Sequence, residues 1–312
     1  MPIPTRLMLS LTLLALLSGC VSSSGTRAKS GSDGWKTLFD GKTFAGWRGY
    51  RMKAMPAKGW RIEDGILKKV GGEHGGDIIT EETFDNFELN WEWRISKGGN
   101  NGIKYLVTED RPSAPGPEYQ MIDDKANEDG KLGPKHASAS FYDVLPPASD
   151  EPLKPAGAWN QSRVLIQSAH VEHWLNGKKV LEYELGSDAV KAAVAKSKFR
   201  NARGFGEKIK GHILLTDHHD ECWFRNIRIR ELPMASVRGA VRQADTYDYQ
   251  PGVTLTKMIA LAGGLTEFAH WKVQNHEADG KTIVFDVDKP TKRPKDDPVL
   301  EPDDLVWVAD RN

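Results

Sequence analysis

Phe87-Glu88-Leu89-Asn90-Trp91-Glu92-Trp93-Arg94-Ile95 alternates between large apolar and polar side chains without a break. Successive side chains of a β-strand point to opposite faces, so Phe87, Leu89, Trp91, Trp93 and Ile95 share one face, with Glu88, Asn90, Glu92 and Arg94 on the other. A core must cover the first face. The same texture spreads outward. Gly102–Thr108, Glu118–Ile122 and Ser162–Gln167 read as strands, and Val171–Leu175, Asn176-Gly177 and Lys178–Tyr183 as a hairpin with a type I′ turn. Only Ser187–Lys198, with Val190, Ala193 and Val194 on one side, reads as a helix. Many strands and few helices predict a mainly β fold, a two-sheet sandwich over residues 35–233.

Past Pro233 the pattern changes, and a boundary falls near Met234–Ser236. Val237–Val241 and Thr246–Tyr249 read as strands. A helix follows with Thr254 as N-cap, Leu255, Met258, Ile259 and Ala262 on one face, and Gly263-Gly264 as its stop. Strands at Thr282–Val287 and Leu305–Val308, flanking a loop at Lys289–Pro298, complete a small α+β module over residues 237–310.

The N-terminus reads as a targeting segment rather than as fold. Arg6 precedes an apolar run, Leu7–Leu17, too short to span a bilayer and suited to a signal peptide over residues 1–19. Leu17-Ser18-Gly19-Cys20 resembles the lipobox of bacterial lipoproteins, which implies lipidation at Cys20 and a flexible tether to residue 34. The expected location is the bacterial cell envelope, anchored to a membrane and facing the periplasm or the exterior. Cys222 is then the only thiol of the mature chain, which excludes an intrachain disulfide and fits a small buried hydrophobe. With 43 basic and 43 acidic residues and no basic block, phosphate-driven binding of nucleic acid is excluded as a main activity.

Chemistry-bearing residues crowd one strand end, Gly211-His212-Ile213-Leu214-Leu215-Thr216-Asp217-His218-His219-Asp220-Glu221. Strand parity puts Asp217 with Ile213 and Leu215, and His218 with His212, Leu214 and Thr216. His218 is therefore the first candidate for a base or metal ligand, with Asp217 or Asp220 to orient it and His219 outside. Glu118 shares a face with Gln120 in an apolar strand, where a carboxylate is costly unless paired or functional, and becomes a candidate acid/base or co-ligand. Glu92, Arg94, Asn101, Lys104, Gln120, Asp123, His136 and His173 are candidate contacts to a substrate. No His-x-His, His-Glu-x-x-His or Cys-x-x-Cys pattern is present, so no cofactor is required by the sequence. A divalent metal at His218 and Glu118 stays open.

Two resemblances gather these readings. Residues 35–232 resemble the 3-keto-disaccharide hydrolase family. The matching stretches include Gly34–Gly41, Gly98-Gly99-Asn100-Asn101-Gly102-Ile103, Gly116-Pro117-Glu118-Tyr119-Gln120, Glu172–Gly177 and the strand-end block through Ile227. The resemblance implies a concanavalin A-like jelly roll with a groove for a sugar chain, and cleavage of glycosides oxidised at C3. A C3 carbonyl acidifies the C2 hydrogen, so the reaction needs a base, an acid and a stabiliser for the enolate oxygen, rather than a glycosidase's paired carboxylates. Residues 237–309 resemble the SLBB domain, a β-grasp module of polysaccharide export proteins, on Val237–Val241, Gly252–Leu255, Ala262–Gly264 and Leu305–Val308. The first expectation is thus an exported, lipid-anchored enzyme whose C-terminal module holds polysaccharide or an envelope partner. Its rivals are a non-catalytic carbohydrate-binding lipoprotein and a polysaccharide-export accessory protein, because fold does not fix function.

Overall fold

Phe87–Ile95 is the middle strand of the larger sheet in the computed structural model, which describes residues 34–111, 116–287 and 297–311. Its five apolar side chains are at most 3% exposed, as the alternation requires. The sheet runs in the spatial order Lys178–Glu184, His170–Leu175, Asn160–Gln167, Phe87–Ile95, Cys222–Glu231, Ile66–Lys69 and Trp60–Glu63, with Lys36–Thr37 also on Cys222–Glu231. The hairpin turn is as read, Asn176 and Gly177 both lying at positive φ. The smaller sheet runs Trp47–Gly49, Ile78–Thr80, His212–Leu215, Asn100–Val107, Glu118–Ile122. All pairings in both sheets are antiparallel.

The inner faces of the two sheets make one core. Trp91 meets Tyr119 edge-on at 4.9 Å, and the buried indole N–H groups find acceptors, Trp91 on Met121 Sδ at 3.3 Å and Trp93 on Ser162 Oγ at 2.8 Å. Cys222 is buried in that core as a free thiol. What positions the site is the other side of the smaller sheet. Residues opposite one another in register share a face, so Gly102 with Gln120, Lys104 with Glu118, Leu214 with Lys104 and Ile79 with Leu214 form an outward-facing surface.

Among the described residues the α-helix of the sandwich spans Asp188–Val194, shorter than the predicted Ser187–Lys198, and Ser187 Oγ caps it by accepting from Val190 N–H at 3.2 Å. A third sheet begins at Met234, in the order Asp245–Asp248, Met234–Gly239, Leu305–Asp310, Ala269–His276, Thr282–Asp286. Its Met234–Gly239 and Leu305–Asp310 strands are parallel. The Leu255–Leu261 helix packs Leu255, Met258 and Ile259 into this module's own core. Thr254 sits at its N-cap without a side-chain bond. The Asp297 carboxylate does the capping, accepting from Thr256 N–H at 3.2 Å and from its hydroxyl. Ala269–His276 was not legible as a strand, because His270, Trp271 and Lys272 are exposed in succession and break the alternation. The segments read as signal peptide, lipidated Cys20 and tether lie outside the described residues, as does most of the Lys289–Pro298 loop.

Candidate active site

Glu118 is only 4% exposed, although it sits on the outward face of the smaller sheet. Lys104 Nζ lies 3.6 Å from Glu118 Oε2, and His218 Nε2 lies 3.8 Å from Oε1. Among the described residues Oε1 accepts no hydrogen bond, which is costly for a buried carboxylate oxygen. Gly102 makes room for the group. A Cβ added there would lie 2.0 Å from Oε1, so no other residue fits under the carboxylate. Burial by itself would raise the Glu118 carboxyl, but Lys104, then His218 and Lys198, outweigh it and hold it down at about 2. At that value it is ionised throughout the neutral range and serves as an acceptor and a negative charge, not as a proton donor.

The strand-end block delivers His218 by pinning its neighbours. Thr216 is buried, its N–H donating to Gly102 O at 3.1 Å while its hydroxyl accepts from Gly102 N–H at 2.8 Å. Asp217 pairs with the fully buried Lys69 at 2.9 Å and accepts from the Gly75 and Gly76 amides at 2.8 Å each. Burial opposes its ionisation, and these partners overcome it and lower its carboxyl. Asp217 is thus spent on holding the turn, and its one imidazole neighbour is His219, at 4.0 Å, not His218. Asp220 accepts from Asn100 N–H at 2.9 Å, and His219 turns away in a left-handed backbone conformation against the His74 ring. His218 is left with its side chain 43% exposed and aimed at Glu118.

Lys104 and Gln120 join this pair. Gln120 is 1% exposed, donates through Nε2 to Asn100 Oδ1 at 3.2 Å, and leaves its own Oε1 without a partner. His136 lies between Asp129 Oδ1 at 2.9 Å and Asp143 Oδ1 at 3.3 Å, edge-on to Tyr142. The others are elsewhere. Asn101 is fully buried and bound to Thr216 O at 2.9 Å. His173 is fully buried between Tyr105 OH at 2.8 Å and Ala139 O at 2.9 Å, and burial pulls it down to about 4, so it is a neutral core histidine. Both residues face inward because the inner strand faces hold them, which corrects the expectation that they meet a ligand. Asp123 folds its own loop, accepting from Gly98, Lys125 and Ala126 amides. Glu92 and Arg94 belong to the outer face of the larger sheet, on the far side of the sandwich. There Glu92 takes Arg225 and Asn226, and Arg94 stacks on Trp223 at 4.3 Å.

Three residues near the site escaped the sequence reading. Asp77 accepts from Asp217 N–H at 2.7 Å, and burial pushes its carboxyl up against the pull of Lys104. Tyr142 donates to Asp129 Oδ2 at 2.8 Å, and Lys198 Nζ lies 4.1 Å from the Tyr142 ring centroid. Nothing local in the sequence marks them, since each lies in a loop and gains its neighbours only from the fold. As to a metal, Glu118 and His218 offer two donor atoms with the Lys104 ammonium already beside them. Among the described residues, three such donors converge only at His170, Glu172 and Glu182, where Lys179 bridges the two glutamates. The donor set at Glu118 among the described residues therefore does not make a complete metal cage.

Residues 34–230 match the family model of the 3-keto-alpha-glucoside-1,2-lyase-like domain, and residues 234–286 match the SLBB domain. A 3-keto-disaccharide hydrolase of Bacteroides thetaiotaomicron is 40% identical, the match covering 64% of this chain and 79% of that protein. A crystal structure of a candidate glycosyl hydrolase from Parabacteroides distasonis is 34% identical with a TM-score of 0.58, covering 64% of this chain and 94% of its own. A second such structure from the same organism is 30% identical with a TM-score of 0.50, covering 64% and 99%.

Proposed function

The chain belongs to the 3-keto-alpha-glucoside-1,2-lyase-like family, and from that premise we propose that it cleaves glycosides oxidised at C3, with His218 as the base and Glu118 as its fixed negative partner. The observation that carries this reading is the buried carboxylate whose free oxygen faces an exposed imidazole, beside one ammonium. His218 takes the proton from C2. The C2–H electron pair moves toward C3 and leaves negative charge on the carbonyl oxygen, which Lys104 is placed to stabilise. Collapse of that enolate forms the C1–C2 double bond and breaks the bond from C1 to the leaving oxygen, which picks up a proton. Addition of water to the enone completes a net hydrolysis. Glu118, 3.8 Å from the imidazole, stabilises its protonated form by its negative charge. The names of the relatives, a 1,2-lyase-like family and a hydrolase, correspond to the two halves of this sequence.

We further infer that Cys20 is lipidated and tethers the enzyme to the bacterial envelope, and that the SLBB module holds polysaccharide or an envelope partner there. Incubation of the full chain with methyl 3-keto-α-glucoside, with and without chelator, tests the reaction. Methanol release is expected, and His218→Ala is expected to lower the rate by about 10²- to 10⁴-fold. No release by folded protein under any metal condition would overturn it.

A further inference from the structure

We propose that Lys198 is the acid in the reaction assigned to His218, a role that rests on that reaction: its ammonium protonates the leaving oxygen. The groups around Glu118 leave this part unfilled. Glu118 is itself ionised, and Lys104 is committed to its Oε2 side. Tyr142 spends its hydroxyl on Asp129, and burial raises it away from use as a donor. Asp77, whose carboxyl burial also raises, opens a strand three places from Glu118 in the sheet.

The fold brings Lys198 toward Glu118 by way of Tyr142. Phe141 pairs antiparallel with Tyr119, and Tyr142 N–H donates to Glu118 O at 3.1 Å, so Tyr142 extends the row of Lys104 and Glu118 by one place. Phe141 faces inward, stacked on Tyr183 with ring centroids 5.0 Å apart, and its successor Tyr142 turns outward. Lys198 is anchored to the same wedge of core. The next residue, Phe199, stacks on Phe205 at 4.2 Å, and Phe205 meets Phe141 at 5.7 Å. Lys198 N–H donates to Asp143 Oδ2 at 2.7 Å. From that fixed backbone the side chain carries Nζ to 4.1 Å from the Tyr142 ring centroid.

The ammonium is available there. Lys198 is solvent-exposed, and among the described residues it forms no ion pair, because the nearby aspartates are taken. Asp129 holds His136 and the Tyr142 hydroxyl, while Asp143 holds His136 and the Lys198 amide. Partial burial pulls the ammonium below the ordinary lysine value, with Lys104 pulling the same way and Glu118, Asp129 and Asp143 opposing. That moves it toward the working range of a general acid.

The protons then balance. As the C1–O bond breaks, its electron pair stays on the leaving oxygen, which takes a proton from Nζ. In the second half the water oxygen bonds to C1, the Lys198 amine takes the proton that the water loses, and the His218 imidazolium returns its proton to C2. Both groups end as they began.

The test varies the leaving group on the full chain. Methoxide needs a proton to leave, and nitrophenolate does not. For Lys198→Ala, kcat on methyl 3-keto-α-glucoside should fall about 10²-fold or more, while kcat on 4-nitrophenyl 3-keto-α-glucoside stays within about ten-fold and shows that the variant folds. Lys198→Arg keeps the charge without a transferable proton and should be as slow as Lys198→Ala. Equal loss on both substrates, loss on neither, or full activity with arginine overturns Lys198 as the acid. In deuterated water, methyl substrate recovered from Lys198→Ala should carry deuterium at C2, because His218 still opens and recloses the C2–H bond. Substrate recovered from His218→Ala should not, and absence of the label with Lys198→Ala also overturns the assignment. A wild type that neither releases methanol nor exchanges deuterium overturns the His218 reaction itself, and Lys198 with it.

Discussion

The outer faces of the two sheets carry the same kinds of side chain and use them in opposite ways. On the larger sheet each glutamate has cations or donors at hand. Glu88 takes Arg163 and Arg230, Glu92 takes Arg225 and Asn226, and Glu172 takes Lys179 and the Trp174 indole. Arginines there lie on tryptophans, Arg163 over Trp174 at 4.0 Å and Arg225 over Trp159 at 4.1 Å. On the smaller sheet the buried Glu118 and Gln120 each keep one oxygen without a partner. Unpartnered buried atoms on the larger sheet are the Nε of Arg94 and Arg230, whose guanidinium groups are otherwise engaged, whereas on the smaller sheet they are acceptor oxygens beside an exposed imidazole. Function is to be sought where a buried carboxylate keeps a free oxygen.

Asp217 gives the hardest test of that contrast, because it neighbours His218 in sequence and yet is fully partnered. Asp217→Ala leaves the Lys69 ammonium at 0% exposure with the Val70 and Glu73 carbonyls but no counter-charge, and should destabilise the fold by about 3 kcal/mol in urea titration. A variant that keeps wild-type stability and loses only turnover would make Asp217 catalytic and break the contrast. Gly102→Ala acts the other way. The added Cβ meets Glu118 Oε1 at 2.0 Å, so the carboxylate must move, and kcat should fall about 10²-fold, the cost of a misplacement of about 1 Å. A normal kcat would mean that the position of Glu118 does not matter to the reaction. Smallest is Glu92→Gln on the far face. Its pair with Arg225 is partly exposed, and stability should change by less than about 1 kcal/mol, with turnover the same. A large loss of activity there would move the site to the other sheet.

Parity along the chain pointed to His218 rather than His219 and a lone carboxylate in an apolar strand pointed to Glu118, and the fold brings these two within 3.8 Å of each other. Parity failed at Asn101 and His173, where the choice was between two faces of a strand and only packing says which is the inside. Their partners, Thr216 for one and Tyr105 with Ala139 for the other, come from distant segments. Asp217 shows a further limit. Its residue type suits an orienting role for a histidine, but the Gly75 and Gly76 amides that claim it belong to a loop that no local pattern links to it.

The sequence by itself determines the β period of residues 87–95, the hairpin at Asn176-Gly177, the switch of texture near Met234 and the family. These depend on interactions between near neighbours along the chain or on ordered motifs, and both are written locally. Only the tertiary structure decides that Lys104 and His218 both approach Glu118, that Gly102 is the floor beneath its carboxylate, and that Asp217 is held by Lys69. The reason is physical. A carboxylate's ionisation and reach are set by whatever charge and free volume lie within a few ångströms, and strands remote in sequence supply both.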